Sequence, residues 1–298
     1  MRKWYVNCMN FVTHFDSRYL PQGLALYRSL LDQVKDFTLW VVALDDNVAA
    51  LLEESKLSSL RVLRVKDYEN PELLAVKKTR SFKEYCWTLT PFLSDFVFNS
   101  SQGCREVTYL DADLYFYGAG YRSIYDEFRK TNKSVLITPH AFAPQYDESS
   151  TSGYYCVQFL VFKKFHSQEI VRNWQKQCLE WCYDRVEPGK FGDQKYLEQW
   201  PIDYADQTHV LSNPGLIQGP WNAMRFPYSE GAIWHFHSLK IAFPSASNTE
   251  FDLQFGRIDR LPAPVINHLL PRYLKSINSG LGMLESSKLL RFIDELES

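Results

Sequence analysis

Alternation between apolar runs and amphipathic segments in the first third of the chain restricts the fold more than any other feature. Strands are predicted over Trp4–Thr13, Phe37–Leu44, Leu60–Val65 and Glu106–Leu110. Helices are predicted between them over Pro21–Leu31, Ala49–Lys56 and Pro71–Phe98, the last in two pieces because Pro91 interrupts it. Strand–helix–strand repetition at this spacing predicts an α/β fold with a mainly parallel sheet and helices on both faces.

The pattern loosens after residue 110. Further strands are predicted over Ser134–Thr138, Val157–Phe162, Val210–Leu211 and Ala232–Phe236. Further helices are predicted over Ser167–Tyr183, Lys195–Gln199, Asn267–Asn278 and Ser287–Leu296. The segment Pro139–Gly153 is a polar, turn-rich loop that could close over a ligand. We expect a sheet domain over residues 1–240 and a C-terminal helical extension, residues 241–298, packed on it.

The segment Val107-Thr-Tyr-Leu-Asp-Ala-Asp-Leu-Tyr-Phe-Tyr117 carries two aspartates directly after a strand-like run, where open α/β sheets place their ligands. In an extended chain Asp111 and Asp113 would point the same way, and two carboxylates so close favour a cation between them. Ala112 leaves room for a bulky ligand. A divalent ion held in this way keeps open positions for phosphate oxygens. The pattern therefore predicts a metal–diphosphate site that suits a nucleotide-sugar; the alternative is a solvated acidic turn.

Composition argues against several other classes of protein. The net charge of −2 gives no general reason to bind nucleic acid or anionic membranes. No window approaches the roughly 20 apolar residues of a transmembrane helix. The N-terminal residues lack the apolar core of a signal peptide, so we expect a soluble, cytoplasmic protein with no transmembrane segment, which could associate peripherally with the inner face of the membrane. Six cysteines without a CxxC pair are expected to be reduced, and neither GxGxxG nor a P-loop motif is present.

Three ordered motifs resemble the GT-A glycosyltransferases, in particular family 8 and related bacterial surface-glycan transferases. They are Tyr109-Leu-Asp-Ala-Asp-Leu-Tyr115, Gly192-Asp-Gln194 and Trp234-His-Phe-His237. The resemblance implies the GT-A fold over most of the sheet domain. It also implies a metal-dependent glycosyltransferase of the hexosyltransferase type. The expected donor is a nucleotide diphosphate sugar, with a UDP-sugar favoured, and the expected acceptor is a glycan or glycolipid.

The resemblance also implies a role for individual residues. Asp111 and Asp113, with His235, would bind Mn²⁺ or Mg²⁺; a neutral imidazole suits Mn²⁺ better, and His237 could be a nearby phosphate contact. The nucleotide-sugar site would comprise Thr13, Phe15, Tyr19, Arg80, Asp111, Ala112 and Lys240. Asp193 and Gln194 would lie beside the transferred sugar and serve catalysis. The plain alternatives are helix capping by Asp193 and solvated surface positions for Arg80 and Lys240.

Two departures from the family pattern are visible. Tyr155-Cys-Val-Gln158 stands where the family commonly has Asn-x-Gly, and the usual His-x-x-Gly-x-x-Lys ending is missing.

Two other functions stay open. A nucleotidyltransferase would share the sheet and the acidic site, but the loop Thr13–Leu20 lacks its usual glycine run. An inactive relative that binds glycans would tend to lose its metal ligands, and both aspartates are present.

Two apolar stripes lie near the C-terminus. One comprises Ile266, Leu269, Leu270 and Leu274; the other comprises Leu289, Leu290, Ile293 and Leu296. Nearby acidic residues offset the few basic ones, so attraction to anionic lipid should be weak. We expect both helices to pack on the sheet domain or to mediate self-association into a homo-oligomer.

Overall fold

A seven-stranded sheet in the order β3-β2-β1-β4-β7-β6-β8 forms the centre of the protein. The computed structural model describes residues 8–243 and 251–297. Its strands are β1 (Met9–Phe15), β2 (Phe37–Ala43), β3 (Leu60–Arg64), β4 (Glu106–Leu110), β5 (Leu114–Phe116), β6 (Val135–Pro139), β7 (Tyr155–Lys163), β8 (Thr208–Val210), β9 (Ile217–Gln218), β10 (Ile233–His235), β11 (Leu239–Ala242) and β12 (Asp252–Phe255). Within the large sheet only β7 runs antiparallel to its neighbours. The predicted α/β fold with a mainly parallel sheet is therefore confirmed.

Helices cover the sheet on both faces. They are α1 (Leu20–Gln33), α2 (Asp46–Ser55), α3 (Pro71–Lys77), α4 (Phe82–Leu89), α5 (Leu93–Ser100), α6 (Tyr121–Arg129), α7 (Ser149–Ser152), α8 (Gln168–Glu180), α9 (Trp200–Asp203), α10 (Leu270–Leu281) and α11 (Ser286–Glu297). Alternation along β1 explains the two layers: Phe11 and Phe15 join the core beneath α1 and α2, whereas Val12 joins the core beneath α4, α5 and α8. No helix in the described ranges is long and apolar enough to cross a membrane.

Local signals account for most of the boundaries and for the differences from prediction. For the predicted strand Trp4–Thr13, the structure shows β1 beginning at Met9, and residues 4–7 lie outside the described residues. The expectation of two helical pieces over Pro71–Phe98 is wrong. A capping box between Ser81 and Glu84 starts α4 as a separate helix, and a 3₁₀ turn around Pro91 separates α4 from α5.

The position of β1 determines where a ligand can bind. The chain moves from β1 to β2 and β3 on one side, and then crosses to β4 on the other side of β1. At such a switch point the loops after the two central strands separate and leave a crevice at the carboxyl ends of the strands. The acidic pair follows β4 directly and therefore lies at this crevice.

The C-terminal helices contact the sheet domain. Gly280 of α10 approaches α1 so closely that a Cβ atom there would lie 2.8 Å from Cβ of Leu24. The Tyr273 ring stacks on Phe236 with centroids 3.8 Å apart, and Phe292 of α11 is buried. The predicted domain boundary at residue 240 falls inside β11, which pairs with β12 beyond it.

Candidate functional site

A tight turn presents the two aspartates. The amide of Asp111 donates to the carbonyl of Gln158 at 3.0 Å, and the amide of Leu114 donates to the carbonyl of Asp111 at 3.1 Å. The expectation of an extended backbone here was wrong, because β4 ends at Leu110 and a turn connects it to β5. A further bond from the amide of Phe236 to the carbonyl of Asp113, at 3.0 Å, ties the turn to the end of β10. The turn still brings both carboxylates to one place.

His235 completes the cluster. It is the last residue of β10, which pairs antiparallel with β5 so that His235 lies opposite Leu114. Its Nε2 atom is 2.9 Å from Oδ1 of Asp113 and 3.6 Å from Oδ2 of Asp111. One ligand atom from each of the three residues lies within 4.8 Å of the others. The structure thus brings together the three residues that the sequence predicted as metal ligands.

The charges in this cluster are compatible with a divalent cation. Burial raises the pKa of Asp111, and the charge of Asp113 adds to this effect. Burial opposes the charged forms of Asp113 and His235, but their mutual attraction outweighs it, lowering the pKa of Asp113 and raising that of His235. The positive charge of a protonated imidazole balances the two close carboxylates, and a cation that binds Nε2 would take the place of that proton. Two carboxylate oxygens and one imidazole nitrogen form a donor set that fits Mn²⁺, so the residues present suit such an ion.

Two cavities meet at Asp111. The first-strand cavity, of about 500 Å³, is lined by His14, Phe15, Asp16, Arg18, Tyr19, Gln22, Leu44, Phe82, Cys86, Ala112, Asp113, Lys240 and Ile241. The Asp193 cavity, of about 470 Å³, includes Asp193, Gln194, Phe191, Trp221, Glu148, Arg257 and Arg260 in its lining. Lys83, Trp87, Tyr109 and Asp111 line both. Asp111 therefore lies between two spaces of comparable size.

The predicted donor residues divide into two groups. Phe15, Tyr19, Ala112 and Lys240 line the first-strand cavity. Thr13 is fully buried in β1 and is not among the lining residues of either cavity. Arg80 is also buried and lines neither: its guanidinium donates to the carbonyls of Cys178 at 2.6 Å and Leu179 at 2.7 Å, near the end of α8. With Asp111, the structure thus brings five of the seven predicted residues to the crevice and holds two elsewhere.

Asp193 and Gln194 line the other cavity. They follow Gly192, whose φ of +51° and close approach to the Trp87 ring (3.1 Å from a built Cβ) both favour glycine. Burial and the charge of Asp111 raise the pKa of Asp193 to about 8. The alternative of helix capping by Asp193 is wrong, because the residue before the 3₁₀ turn Lys195–Gln199 is Gln194. The amide of Gln194 donates to the carbonyl of Ser152 at 2.7 Å, in the loop Pro139–Gly153.

The second histidine takes a different position from the one expected. β10 ends at His235, so His237 lies in the turn that follows and not in a strand. The two rings are 5.4 Å apart, and both lie edge to face with Trp221. His237 lines the Asp193 cavity and is not a member of the three-residue cluster.

Sequence reasoning missed several residues at the site. Tyr109 donates from its hydroxyl to Oδ1 of Asp111 at 2.6 Å, and Nδ1 of His235 lies 2.8 Å from Oε1 of Gln158. Gln158 could have been found, because it is the polar residue inside an apolar strand. Glu148 was harder: it accepts from Arg257 at 2.7 Å and Arg260 at 3.0 Å, a link between the loop Pro139–Gly153 and a distant segment.

Comparison of the amino-acid sequence with known proteins identifies the family of this chain. No protein-family model matches the chain. The chain is 30% identical over 224 residues to the uncharacterized protein YfnF of Bacillus subtilis (strain 168), covering 72% of this chain and 73% of YfnF. This chain belongs to the YfnF family. The uncharacterized protein YfnD of the same organism is 26% identical over 221 residues, covering 73% of this chain and 70% of YfnD.

Solved structures with the same fold are glycosyltransferases. The galactosyltransferase LgtC, in complex with donor and acceptor sugar analogs, aligns with a TM-score of 0.53 at 12% identity, over 91% of this chain and 96% of its own. The apo glycosyltransferase GlyE of Streptococcus pneumoniae aligns with a TM-score of 0.55 at 14% identity, over 92% of this chain and 63% of GlyE. Mouse xyloside xylosyltransferase 1 aligns with a TM-score of 0.51 at 14% identity, over 77% of this chain and 97% of its own. At these identities the likeness concerns the fold, and the predicted GT-A fold is confirmed for this chain.

Proposed function

We propose that this protein is a metal-dependent glycosyltransferase that moves a sugar from a nucleotide diphosphate donor to a glycan or glycolipid acceptor. The observation that supports this most is the cluster of Asp111, Asp113 and His235, in which Asp111 lines both cavities. Sugar transfer needs space for a donor and for an acceptor, with the leaving diphosphate between them. A UDP-sugar is the proposed donor.

Asp111, Asp113 and Nε2 of His235 would hold Mn²⁺ or Mg²⁺. When bound, such an ion acts as a Lewis acid that offsets the charge developing on the departing diphosphate. The protein's own contribution is to hold three ligand atoms within 4.8 Å of one another on two strand ends joined by backbone hydrogen bonds. Tyr109, which is buried, donates to Asp111 and restrains that carboxylate.

The first-strand cavity is the proposed site for the nucleoside. The rings of Phe15 and Tyr19 offer apolar surface to a base, and the small side chain of Ala112 leaves the backbone accessible. Lys240 of β11 is exposed at the same cavity and would bring a positive charge to the diphosphate. The burial of Thr13 in β1 and the buried hydrogen bonds of Arg80 favour structural roles for both.

The Asp193 cavity is the proposed site for the transferred sugar and the acceptor. Because the pKa of Asp193 is raised to about 8, its carboxyl group can donate a hydrogen bond to a sugar hydroxyl at neutral pH. A carboxyl group that is protonated at neutral pH is not free to act as the base of an inverting reaction, so we favour retention of the anomeric configuration, which requires no strong base. Aromatic side chains of Trp87, Phe191 and Trp221 provide faces on which sugar rings can stack. The resemblance to bacterial surface-glycan transferases suggests a surface polysaccharide precursor at the cytoplasmic face of a membrane as the acceptor.

Release of UDP from a panel of UDP-sugars tests the proposal. The full-length protein is first treated with EDTA and then assayed with and without Mn²⁺, with Asp113→Asn as the matched inactive control. We expect hydrolysis of at least one UDP-sugar that depends on Mn²⁺ and on Asp113. Pyrophosphate release from UTP and a sugar 1-phosphate would instead identify a nucleotidyltransferase. Glycan binding without turnover of any nucleotide-sugar would identify an inactive relative.

A further inference from the structure

Gln158 is a polar side chain inside an apolar strand. Its neighbours in β7 from Cys156 to Phe162 are apolar and buried, and Gln158 is itself fully buried. Burial of an amide is unfavourable unless the amide forms hydrogen bonds. This residue also belongs to the segment Tyr155-Cys-Val-Gln158, which departs from the family pattern. A residue that only filled the core would be apolar like its neighbours, so the hydrogen bonds of Gln158 indicate its role.

Gln158 contacts two of the three proposed metal ligands. Its backbone carbonyl accepts from the amide of Asp111 at 3.0 Å, and its Oε1 is 2.8 Å from Nδ1 of His235. The remaining amide atom, Nε2, is buried and has no hydrogen-bond partner within residues 8–243 and 251–297. An unpaired buried N–H group is unfavourable by about 1–3 kcal/mol. The fold tolerates this unfavourable amide while keeping the contact to His235.

The contact to His235 has a direct chemical meaning. A histidine that offers the lone pair of Nε2 to a cation must carry its hydrogen on Nδ1, and that hydrogen then needs an acceptor. Oε1 of Gln158 is in place to be this acceptor. A neutral amide serves without adding another negative charge near Asp111, Asp113 and Asp193, whereas a glutamate would add one.

We propose that Gln158 is a positioning residue that fixes the Nδ1–H tautomer and the ring orientation of His235, so that Nε2 faces the two aspartates. Hydrogen bonds of this kind commonly orient metal-binding histidines, and their loss weakens metal affinity about 10–100-fold. The inference rests on the proposed function, because it takes His235 as a metal ligand.

Three variants of the full-length protein test the inference. Gln158→Met removes the acceptor with little change in volume, and Gln158→Glu restores an acceptor. Gln218→Met is the matched control, because Gln218 is also fully buried on a strand next to β10, but donates to the carbonyl of Pro227 at 2.9 Å instead of contacting His235. Binding of Mn²⁺ is titrated by electron paramagnetic resonance. Electron–nuclear double resonance with ¹⁵N-labelled histidine detects the ligating nitrogen.

We expect Gln158→Met to bind Mn²⁺ about 10–100-fold more weakly than wild type and to lose the nitrogen coupling. Gln218→Met should match wild type, and Gln158→Glu should keep the coupling. A folded Gln158→Met variant with wild-type affinity and coupling would overturn the inference. If Gln158→Met does not fold, loss of coupling in folded Gln158→Glu overturns the inference and retained coupling supports it. Wild-type protein that binds Mn²⁺ without nitrogen coupling also contradicts it, whereas UDP-sugar hydrolysis tests the proposed function separately.

Discussion

Replacing Asp193 by asparagine is a quantitative test of the electrostatics in the Asp193 cavity. Asp193 is 5% exposed, and burial together with the charge of Asp111 raises the pKa of its carboxyl group from 3.8 to about 8. In the unfolded chain the group ionises at its ordinary pKa. Between these two values the folded state binds more protons than the unfolded state. The free energy of unfolding of the wild type therefore falls as the pH rises through this window.

The expected size of the effect follows from the shift. One pKa unit corresponds to about 1.36 kcal/mol, so ionisation of this one group should lower the free energy of unfolding by about 4 kcal/mol between pH 5 and pH 8. Asparagine has nearly the same shape and does not ionise in this range. The Asp193→Asn variant should therefore gain stability relative to wild type as the pH rises, by up to about 4 kcal/mol over the same interval.

Urea unfolding in EDTA, followed by tryptophan fluorescence at several pH values, measures this difference. Other titrating groups, such as His140, whose pKa is lowered to about 3 by burial, are present in both proteins and cancel in the comparison. Asp184→Asn is the control, because Asp184 lines the same cavity but is half-exposed and paired with Lys83 at 2.7 Å. Parallel stability profiles for wild type and Asp193→Asn from pH 5 to pH 8 would refute the reasoning.

Three further predictions concern the proposed ligands and the C-terminus. Asp111→Asn and Asp113→Asn should each lower transferase activity by orders of magnitude with little loss of stability, because each removes charge from a crowded cluster; full activity of both in excess EDTA would exclude a metal mechanism. His235→Ala should weaken Mn²⁺ binding more than His237→Ala in a metal titration, and equal, negligible effects would return both histidines to structural roles. Deletion of residues 281–298 removes α11, including a buried phenylalanine, and should lower solubility or change the size seen by light scattering. The deletion should not change flotation with anionic liposomes. Flotation of the full-length protein, but not of the truncated one, would contradict this.

The parts of the fold that sequence predicted best are those with a strong local signal. The central strands β1 to β4 are apolar runs bounded by turns, and they were found to within a few residues. Strand β5 was missed because pairing with the distant β10 holds it in place, and β9, β11 and β12 were missed because they are too short to show a clear alternation. Helix α6 was missed although Tyr121, Ile124, Tyr125 and Phe128 follow helical spacing and are buried on one face.

At the site, too, residues with a local sequence signal were predicted, and residues whose role depends on contacts between distant segments were not. The acidic pair and His235 carry recognisable chemistry, and the structure brings them together. The role of Arg80 could not be predicted from its residue type. A basic side chain before a helix can bind a phosphate or, as here, the carbonyls near the end of α8, and the local sequence is the same in both cases. The roles of Tyr109 and Gln158 depend on which strands are neighbours, and this information is absent from local sequence.

The pairing of β5 with β10 has a consequence for how the protein is made. Asp113 and His235 come from segments about 120 positions apart, so the ligand set cannot exist until the later segment has folded against the earlier one. A chain that ends before β10 offers a cation only the two aspartates and would be stabilised less by it. The completed protein, with all three ligands, would be stabilised by the ion by about 2.7 kcal/mol at a concentration of 100 times the dissociation constant. Ion binding would thus favour finished molecules over partly folded ones.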